Sequence, residues 1–470
     1  MAIEGRTHKP VIDHEKCNTC SVCIAACPAE IMPDMRTETD SLRGAIYNDS
    51  DTNIRINIPK EFVSPPCQAA CPIGQDIRGY MRLIAEKHHR EALNLIRETN
   101  PLPSVCGYVC HHPCELSCIR DSVDEALSIK SLKRFVTDYD DGEIMPTKTE
   151  KIQGQKIVII GSGPAGLTAA HELAKKGYIV EIIESYQEPG GMLSWAIPNF
   201  RLPKEILKRD IEYIQKMGVT IKTGIDLGTD TSISDIKKDG ADAIILATGT
   251  QKSLKMKIEN EGNFKGFTDC LSFLKGYSHH DDMHLGSDVL IIGGGNAAID
   301  TARSAIRLGA KNVTILYRRG RNEMPADRDE IDEAIAENVT IEFLTAPKRI
   351  IAENGIVKGL QCVKTRLIDD ADSERPRPAN IGGSEFIINA SIIISAVGQE
   401  PDFSWMGKES FLEITRQKTL AVHDKTMMTD LEGVFAAGDT VNGPTTVVEA
   451  MASGKKAAEL VDNYLSEERK

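Results

Sequence analysis

Long apolar runs are missing from this chain. Nothing in its 470 residues approaches the ~20 consecutive apolar positions that a membrane-spanning helix needs. A basic surplus is missing as well. The formal net charge is −13, so no cationic stripe exists to neutralise phosphates, and nucleic acid and anionic membrane surfaces are both disfavoured as partners. The stretch from Met1 to Lys16 is polar and lacks an apolar core, which argues against an export leader and for a cytoplasmic location. Cysteine is scarce beyond Cys118: of twelve, only Cys270 and Cys362 lie further on, isolated as core thiols are. Disulfide frameworks belong to small exported domains, so clustered thiols in a long chain without an export signal point to metal ligation. The rest of the composition, 41% hydrophobic and 27% charged, is that of a globular protein, and the length implies about three or four domains.

The clustered thiols begin with Cys17, Cys20, Cys23 and Cys27, spaced C-x2-C-x2-C-x3-C with Pro28 next. This spacing holds a 4Fe–4S cluster in bacterial ferredoxins, and structural zinc sites seldom use it. Residues 1–60 therefore read as a ferredoxin-like segment, with a polar stretch from Thr37 to Asn57. Residues 61–150 read as helical. Apolar residues recur at helical spacing from Ile77 to Ile84 and from Ala92 to Ile96, until Asn100–Pro101 and Pro103 break the pattern. Asp140 to Gly154 is a polar linker.

Beyond the linker the pattern becomes strand, glycine-rich turn, helix. Lys156–Ile160, Leu167–Lys176 and Tyr178–Glu184 make one such unit. Asp288–Ile292, Ala297–Leu308 and Asn312–Tyr317 make a second. Two βαβ beginnings in one chain predict an α/β architecture with two Rossmann-type domains. The expected division is residues 151–284 with 390–470 for the first and 285–389 for the second.

The first turn is Gly161–Ser162–Gly163–Pro164–Ala165–Gly166. Its glycines allow a tight turn and bring backbone N–H groups to a pyrophosphate at a helix N-terminus, and Glu184 ends the next strand as the acid that accepts from a ribose diol. The second is Gly293–Gly294–Gly295–Asn296–Ala297–Ala298, with alanine in the third glycine place. Where the first unit has its acid, the second has Tyr317 followed by Arg318 and Arg319. Arginines there suit the 2′-phosphate of NADP, where an acid would suit NAD. Near the C-terminus, Gly433–Asp439 reads as a strand ending in a Gly438–Asp439 turn. Asp439 can hold a flavin ribityl chain. A helix N-terminus after Thr446 can stabilise negative charge on a reduced flavin ring.

With these motifs in place, residues 61–470 resemble the small subunit of glutamate synthase and its relatives. Those include the matching part of dihydropyrimidine dehydrogenase and the large subunit of the bifurcating NADH-dependent ferredoxin:NADP oxidoreductase. The resemblance rests on Pro66–Pro72, Cys106–Cys110, Cys114–Cys118, Gly190–Leu193, Ile197–Pro198, Arg201–Pro203 and Tyr317–Arg319. It implies FAD on the first turn, with Gly191, Met192, Leu193 and Arg201 beside it, and NADP or NAD on the second. It also implies 4Fe–4S clusters in the helical domain, one taking Cys71, Cys110 and Cys114, the other Cys67 and Cys118. Cys106 matches a family cysteine that is not usually a ligand.

Two departures stand out. Relatives usually carry a C-x2-C pair just before the position of Cys67, and Ile58 to Pro66 holds no cysteine. Lys133 stands where the family often has a Gln or Glu ligand. The Cys17–Cys27 run is positioned to supply what is missing, and in ordinary ferredoxins the fourth cysteine of such a run serves a different cluster from the first three. Ten clustered cysteines exceed the requirement of two four-ligand clusters and fall short of three, so two clusters are expected. His111 and His112 read as surface or cap residues, and Asp327 to Glu337 as an exposed helix.

A chain holding clusters and nicotinamide sites needs a converter between single electrons and hydride, and FAD is that converter. No nucleophile or substrate motif of its own appears. The expected function is an electron-transfer flavoprotein subunit serving a partner oxidoreductase. The partner is either a 2-oxoacid:acceptor enzyme or a glutamate synthase large subunit. An assembly module with purely structural clusters would have no need of the dinucleotide turns.

Overall fold

The computed structural model describes residues 64–140, 146, 153–280, 283, 285–369, 375–407 and 412–467. It also gives the backbone of two short antiparallel pairs, Ile3–Glu4 with Val11–Ile12 and Ala45–Asn48 with Ile54–Asn57. Cys17, Cys20, Cys23 and Cys27 lie outside the described residues.

The helical segment holds short helices at Pro66–Ala69, Ile77–Ala85, His89–Arg97, Pro103–Val109, Pro113–Leu116 and Ile129–Thr137. Three of them start with proline in the first turn, where its missing N–H costs nothing. Their apolar faces close a small core of Ile77, Tyr80, Leu93, Ile96, Ile129 and Val136.

The first Rossmann sheet is parallel, in the order Val434–Ala436, Ala243–Leu246, Lys156–Ile160, Ile179–Glu184, Thr220–Thr223. Its central strands are buried on both faces, as their continuous Ile and Val runs require. Helix Pro164–Lys175 leaves the first turn and packs against the C-terminal helix Val447–Glu467.

The second sheet repeats the plan: Phe267–Asp269, Ile392–Ser395, Asp288–Ile292, Asn312–Leu316, Thr340–Glu342, all parallel. It thus extends past both limits of the expected 285–389 division. The two strands beyond those limits are short, at three and four residues, and lie far in sequence from the glycine turn that marks the domain.

The two turns use one backbone device. Gly161 has φ +104° and a Cβ there would stand 2.4 Å from the Ala247 carbonyl oxygen; Gly293 has φ +152° and would meet the Ala396 carbonyl oxygen at 2.2 Å. Only glycine lets the turn pass so close under the neighbouring strand.

An antiparallel sheet is inserted in the second domain. Strand Thr345–Glu353 pairs with Ile356–Ile368, which also pairs with Arg377–Asn380 and Phe386–Asn389. This sheet was not among the sequence expectations. Its signal is Asn354–Gly355, a two-residue hairpin loop with φ +51° and +76°.

Candidate functional site

Both turns open onto one cavity of about 700 Å³, within the range of cofactor sites. Its walls bring together most of the residues expected from the sequence. From the first domain come Gly161, Gly163, Pro164, Ala165, Glu184, Gly191, Met192, Leu193 and Arg201; from the second, Asn296 and Ala297; from the C-terminal region, Asp439 and Thr446. Gly166 is not on the surface of the cavity. A Cβ on it would lie 2.0 Å from the Gly161 carbonyl oxygen, so it serves the close packing of helix on turn. Gly293, Gly295 and Gly438 also lie off the wall and act on the backbone behind it.

Glu184 is buried at the end of its strand. It accepts from Ser162 N–H (2.9 Å), Ser162 Oγ (2.5 Å) and Tyr186 N–H (3.0 Å). Ser185 Oγ also donates, at a longer 3.3 Å; a carboxylate has about four acceptor positions, so a ribose hydroxyl would take the place of this weakest contact. Asp439 accepts from Thr445 Oγ1 at 2.6 Å, and burial pushes its pKa up to about 6. Thr446 Oγ1 bonds Glu449 Oε2 at 2.6 Å and caps the helix Val447–Glu467, whose N-terminus faces the cavity with Val447 and Ala450. A helix N-terminus favours negative charge, and Glu449 in the first turn already supplies some of it here. The glycine turn, the acid at the strand end and this dipole together fit a flavin dinucleotide.

Arg201 lines the cavity, but its guanidinium is engaged across the domain boundary. Nη1 bonds Asp300 Oδ2 at 2.6 Å and Nε bonds Glu330 Oε1 at 2.9 Å. Its geometry makes it a tie between the two Rossmann domains as well as a wall residue. Arg318 and Arg319 stand off the cavity at the end of strand Asn312–Leu316. Arg318 is exposed; Arg319 Nε donates to the Pro376 carbonyl at 2.9 Å. Arg375, from the inserted sheet, donates to Tyr317 Oη at 3.2 Å and to the Glu323 carbonyl. A cationic strand end is therefore present, with Arg319 partly committed to holding the insert.

Cys71, Cys106, Cys110 and Cys114 share an electrostatic environment with the buried Lys133. Cys67 acts on Tyr80 together with Cys71 and Cys114, and also interacts with Cys118. Burial pushes the Cys114 thiol up to about 12, and Lys133 pulls it back. Lys133 is 7% exposed; burial disfavours its ammonium, while Tyr80 and the surrounding cysteines favour it. The His112 N–H donates to Cys110 Sγ at 3.4 Å, the type of bond that tunes cluster potentials. Cys106 instead turns toward the C-terminal helix, with Sγ 3.6 Å from Met451 Sδ. Cys270 and Cys362 are core thiols, 4% and 0% exposed. Among the described residues no three Cys, His, Asp or Glu side chains close into a ready metal cage. The donor chemistry nevertheless fits an iron–sulfur group: soft thiols in a dry site, beside a buried cation suited to the net negative charge of a thiolate-bound cluster. Cys67 and Cys118 alone make half a ligand set.

His111 was expected at the surface or in a cap, and the structure places it on the cavity wall next to Val109. Nothing local in the sequence signals this, because other parts of the wall, Thr446, Val447 and Ala450, come from more than 300 residues further on.

Two glycine-turn sheets opening on a shared cavity define a dinucleotide-binding oxidoreductase. Comparison with known proteins agrees. Residues 155–454 match the family described as pyridine nucleotide-disulphide oxidoreductase, and residues 61–144 match dihydropyrimidine dehydrogenase domain II, 4Fe-4S cluster. The glutamate synthase [NADPH] small chain of Azospirillum brasilense is 34% identical over 459 residues, covering 93% of this chain and 95% of that one. The NADP(+)-dependent formate dehydrogenase subunit beta of Moorella thermoacetica is 41% identical over 432 residues, covering 86% of this chain. The NADPH-Fe(3+) oxidoreductase subunit beta of Geobacter sulfurreducens is 38% identical over 429 residues. This chain spans 60% and 64% of the length of those last two. The solved structure of FprA from Mycobacterium tuberculosis in complex with NADPH shares the fold, with TM-score 0.59 at 18% identity over 67% of this chain and 85% of that chain. The chain belongs to the pyridine nucleotide-disulphide oxidoreductases, together with the glutamate synthase small chains. It is an oxidoreductase with FAD- and NAD(P)-binding domains and a 4Fe–4S domain. No helix among its described residues is long and apolar enough to cross a membrane.

Proposed function

We propose that this chain is the electron-transfer subunit of a larger oxidoreductase, passing electrons between NADP(H), FAD and two 4Fe–4S clusters. The observation that carries the reading is the shared cavity. It is bounded by the first glycine turn, by Asn296 and Ala297 of the second, and by the residue that follows Cys110. Bound there, FAD would exchange hydride with a nicotinamide and single electrons with a cluster.

The chain's own residues bind and orient. Gly161, Gly163 and Gly166 shape the pyrophosphate turn, and Glu184 and Asp439 accept from the ribose and ribityl hydroxyls. Gly191, Met192 and Leu193 wall the ring, and Arg318 with Arg319 takes the adenosine end of the nucleotide. Cys71, Cys110 and Cys114 bind one cluster. Cys67 and Cys118 belong to the second, completed from Cys17, Cys20, Cys23 and Cys27. The domain division follows the expected one, with the second Rossmann domain enlarged to take in the two strands beyond its expected limits. The chain has no substrate centre of its own in this reading, so a catalytic subunit in the cytoplasm supplies or receives the electrons. A 2-oxoacid:acceptor oxidoreductase and a formate-oxidising subunit are both partners of suitable chemistry, the second because the Moorella relative is a formate dehydrogenase subunit.

A second reading, the small subunit of a glutamate synthase, is favoured by the near full-length match to the Azospirillum chain. Both readings require the isolated chain to reduce a viologen dye with NADPH, and flavin-replete protein that fails to do so overturns both. Only the second requires glutamate formation when the chain is mixed with a glutamate synthase large subunit.

A further inference from the structure

Helix Pro103–Val109 ends at Cys110, whose extended backbone (φ −66°, ψ 136°) carries the chain onward to His111. His111 and Val109 line the cavity, while Cys110 is buried among the thiols around Lys133. The side chain of His111 has an unusual bonding state. Its Nδ1 is enclosed by protein with no hydrogen-bond partner, and the residue lies on the cavity wall. An enclosed acceptor without a partner is tolerated better than an enclosed N–H. A neutral imidazole with that nitrogen unprotonated would carry its proton on Nε2 and could offer the cavity a donor. Val447 and Ala450, at the N-terminus of helix Val447–Glu467, line the same cavity.

We propose that His111 is the contact through which electrons pass between the flavin and the cluster bound by Cys110. Its Nε2–H donates to an acceptor on the flavin ring, and its backbone continues directly into a cluster-binding residue. The inference rests on the proposed function. One hydride delivers two electrons to the flavin. These leave as two single-electron reductions of an oxidised cluster, which a partner reoxidises, and the proton returns to solvent.

The test uses the full chain loaded with FAD and iron–sulfur, comparing His111→Leu and His111→Gln with the parent protein. Flavin is reduced by a flash-generated deazaflavin donor, so the comparison does not depend on whether NADPH is the physiological reductant. Cluster reduction is followed by loss of its visible absorbance. In His111→Leu the oxidised flavin spectrum shifts and flavin-to-cluster transfer slows by about tenfold, the factor for a barrier raised by ~1.4 kcal/mol. His111→Gln, which keeps an N–H donor, recovers much of the rate. An unchanged spectrum and rate in His111→Leu overturns the proposal. So does equal FAD loss in both variants, which would make His111 a packing residue.

Discussion

The helix that carries Cys106 and Cys110 cannot cap itself. Its N-cap is Leu102, which has no side-chain acceptor. The cap comes instead from Asp210, on helix Lys204–Lys216 of the first Rossmann domain. Its carboxylate accepts from Ser104 Oγ at 2.8 Å and from Val105 N–H at 3.0 Å. Asp210 is fully buried, and that burial raises its pKa to about 6, against the pull of the two bonds and of Arg97 and Arg209. The consequence for pH has a definite sign. A carboxyl whose folded pKa lies above its unfolded value binds more protons in the native state, so its contribution is complete below the unfolded value and is lost as pH rises through the folded one. With an unfolded value near 3.8, the loss between about pH 5 and 7.5 is about 1.4 kcal/mol.

Asp210→Asn removes the titration while keeping one acceptor for Val105. The difference in stability between parent and variant should therefore narrow in the variant's favour by about 1.4 kcal/mol from pH 5 to 7.5. Asp210→Ala should cost about 3 kcal/mol near pH 7, because it strands a buried N–H and a hydroxyl that both bonded a charged group. Urea midpoints, followed separately by flavin and by cluster absorbance at several pH values, measure both. A parent–Asn difference that does not vary with pH refutes the reasoning.

Arg318→Ala should weaken NADP binding by at least about tenfold with little effect on NAD, since a charge-assisted phosphate bond contributes roughly 1.5–3 kcal/mol. Arg319→Ala should do less, its guanidinium already being bonded to Pro376. Nucleotide titration by flavin quenching reads both, and equal loss for the two nucleotides would indicate a general electrostatic effect. Glu184→Gln should lower FAD retention on dialysis, and full retention would remove Glu184 from the ribose site. Lys133→Met should lower the midpoint potential of the nearest cluster, because reduction adds negative charge beside a missing cation; a redox titration followed by electron paramagnetic resonance showing no shift would count against that placement. Cys20→Ser should leave FAD content intact and reduce electron delivery to a partner, whereas loss of FAD would make the N-terminal run a structural staple.

The strands next to the glycine turns could be read to the residue: Lys156–Ile160 and Asp288–Ile292 are as expected. There an unbroken β-branched run ends at a glycine with a forced conformation, so local and tertiary demands coincide. The helix before Glu337 was equally plain, with Asp327 capping Arg328–Ala336. What escaped reading depends on distant partners. Asp210 looks like any polar helix residue until Ser104 is brought against it from 106 positions away. Arg201 was legible as a site residue but not as a tie to Asp300 and Glu330. His111 was misplaced for the same reason. The inserted sheet is a different case, because Asn354–Gly355 carried its signal in plain view.

Both joints between the parts combine buried polar groups with apolar packing. The helical domain is fixed to the first Rossmann domain through dry contacts: Asp210 on Ser104 and Val105, the Arg97 guanidinium 4.0 Å from the Tyr213 ring centre, and Cys106 against Met451. Close-packed contacts of this sort do not deform gradually. The separation between a Cys110-bound cluster and the cavity is therefore set by the fold. The second Rossmann domain is held partly by charge, through Arg201 and its two carboxylate partners at the cavity margin. Asp300 lines the cavity and is almost fully buried, with Oδ1 unpaired and its pKa raised to about 6 by burial. Arg97 Nε and Nη1 and Arg209 Nε are likewise unpaired at the first joint, so both joints carry buried polar groups that are only partly satisfied. In the proposed reading the one-electron route crosses the first joint. The hydride route would cross the second, where Arg201 and Asp300 line the cavity.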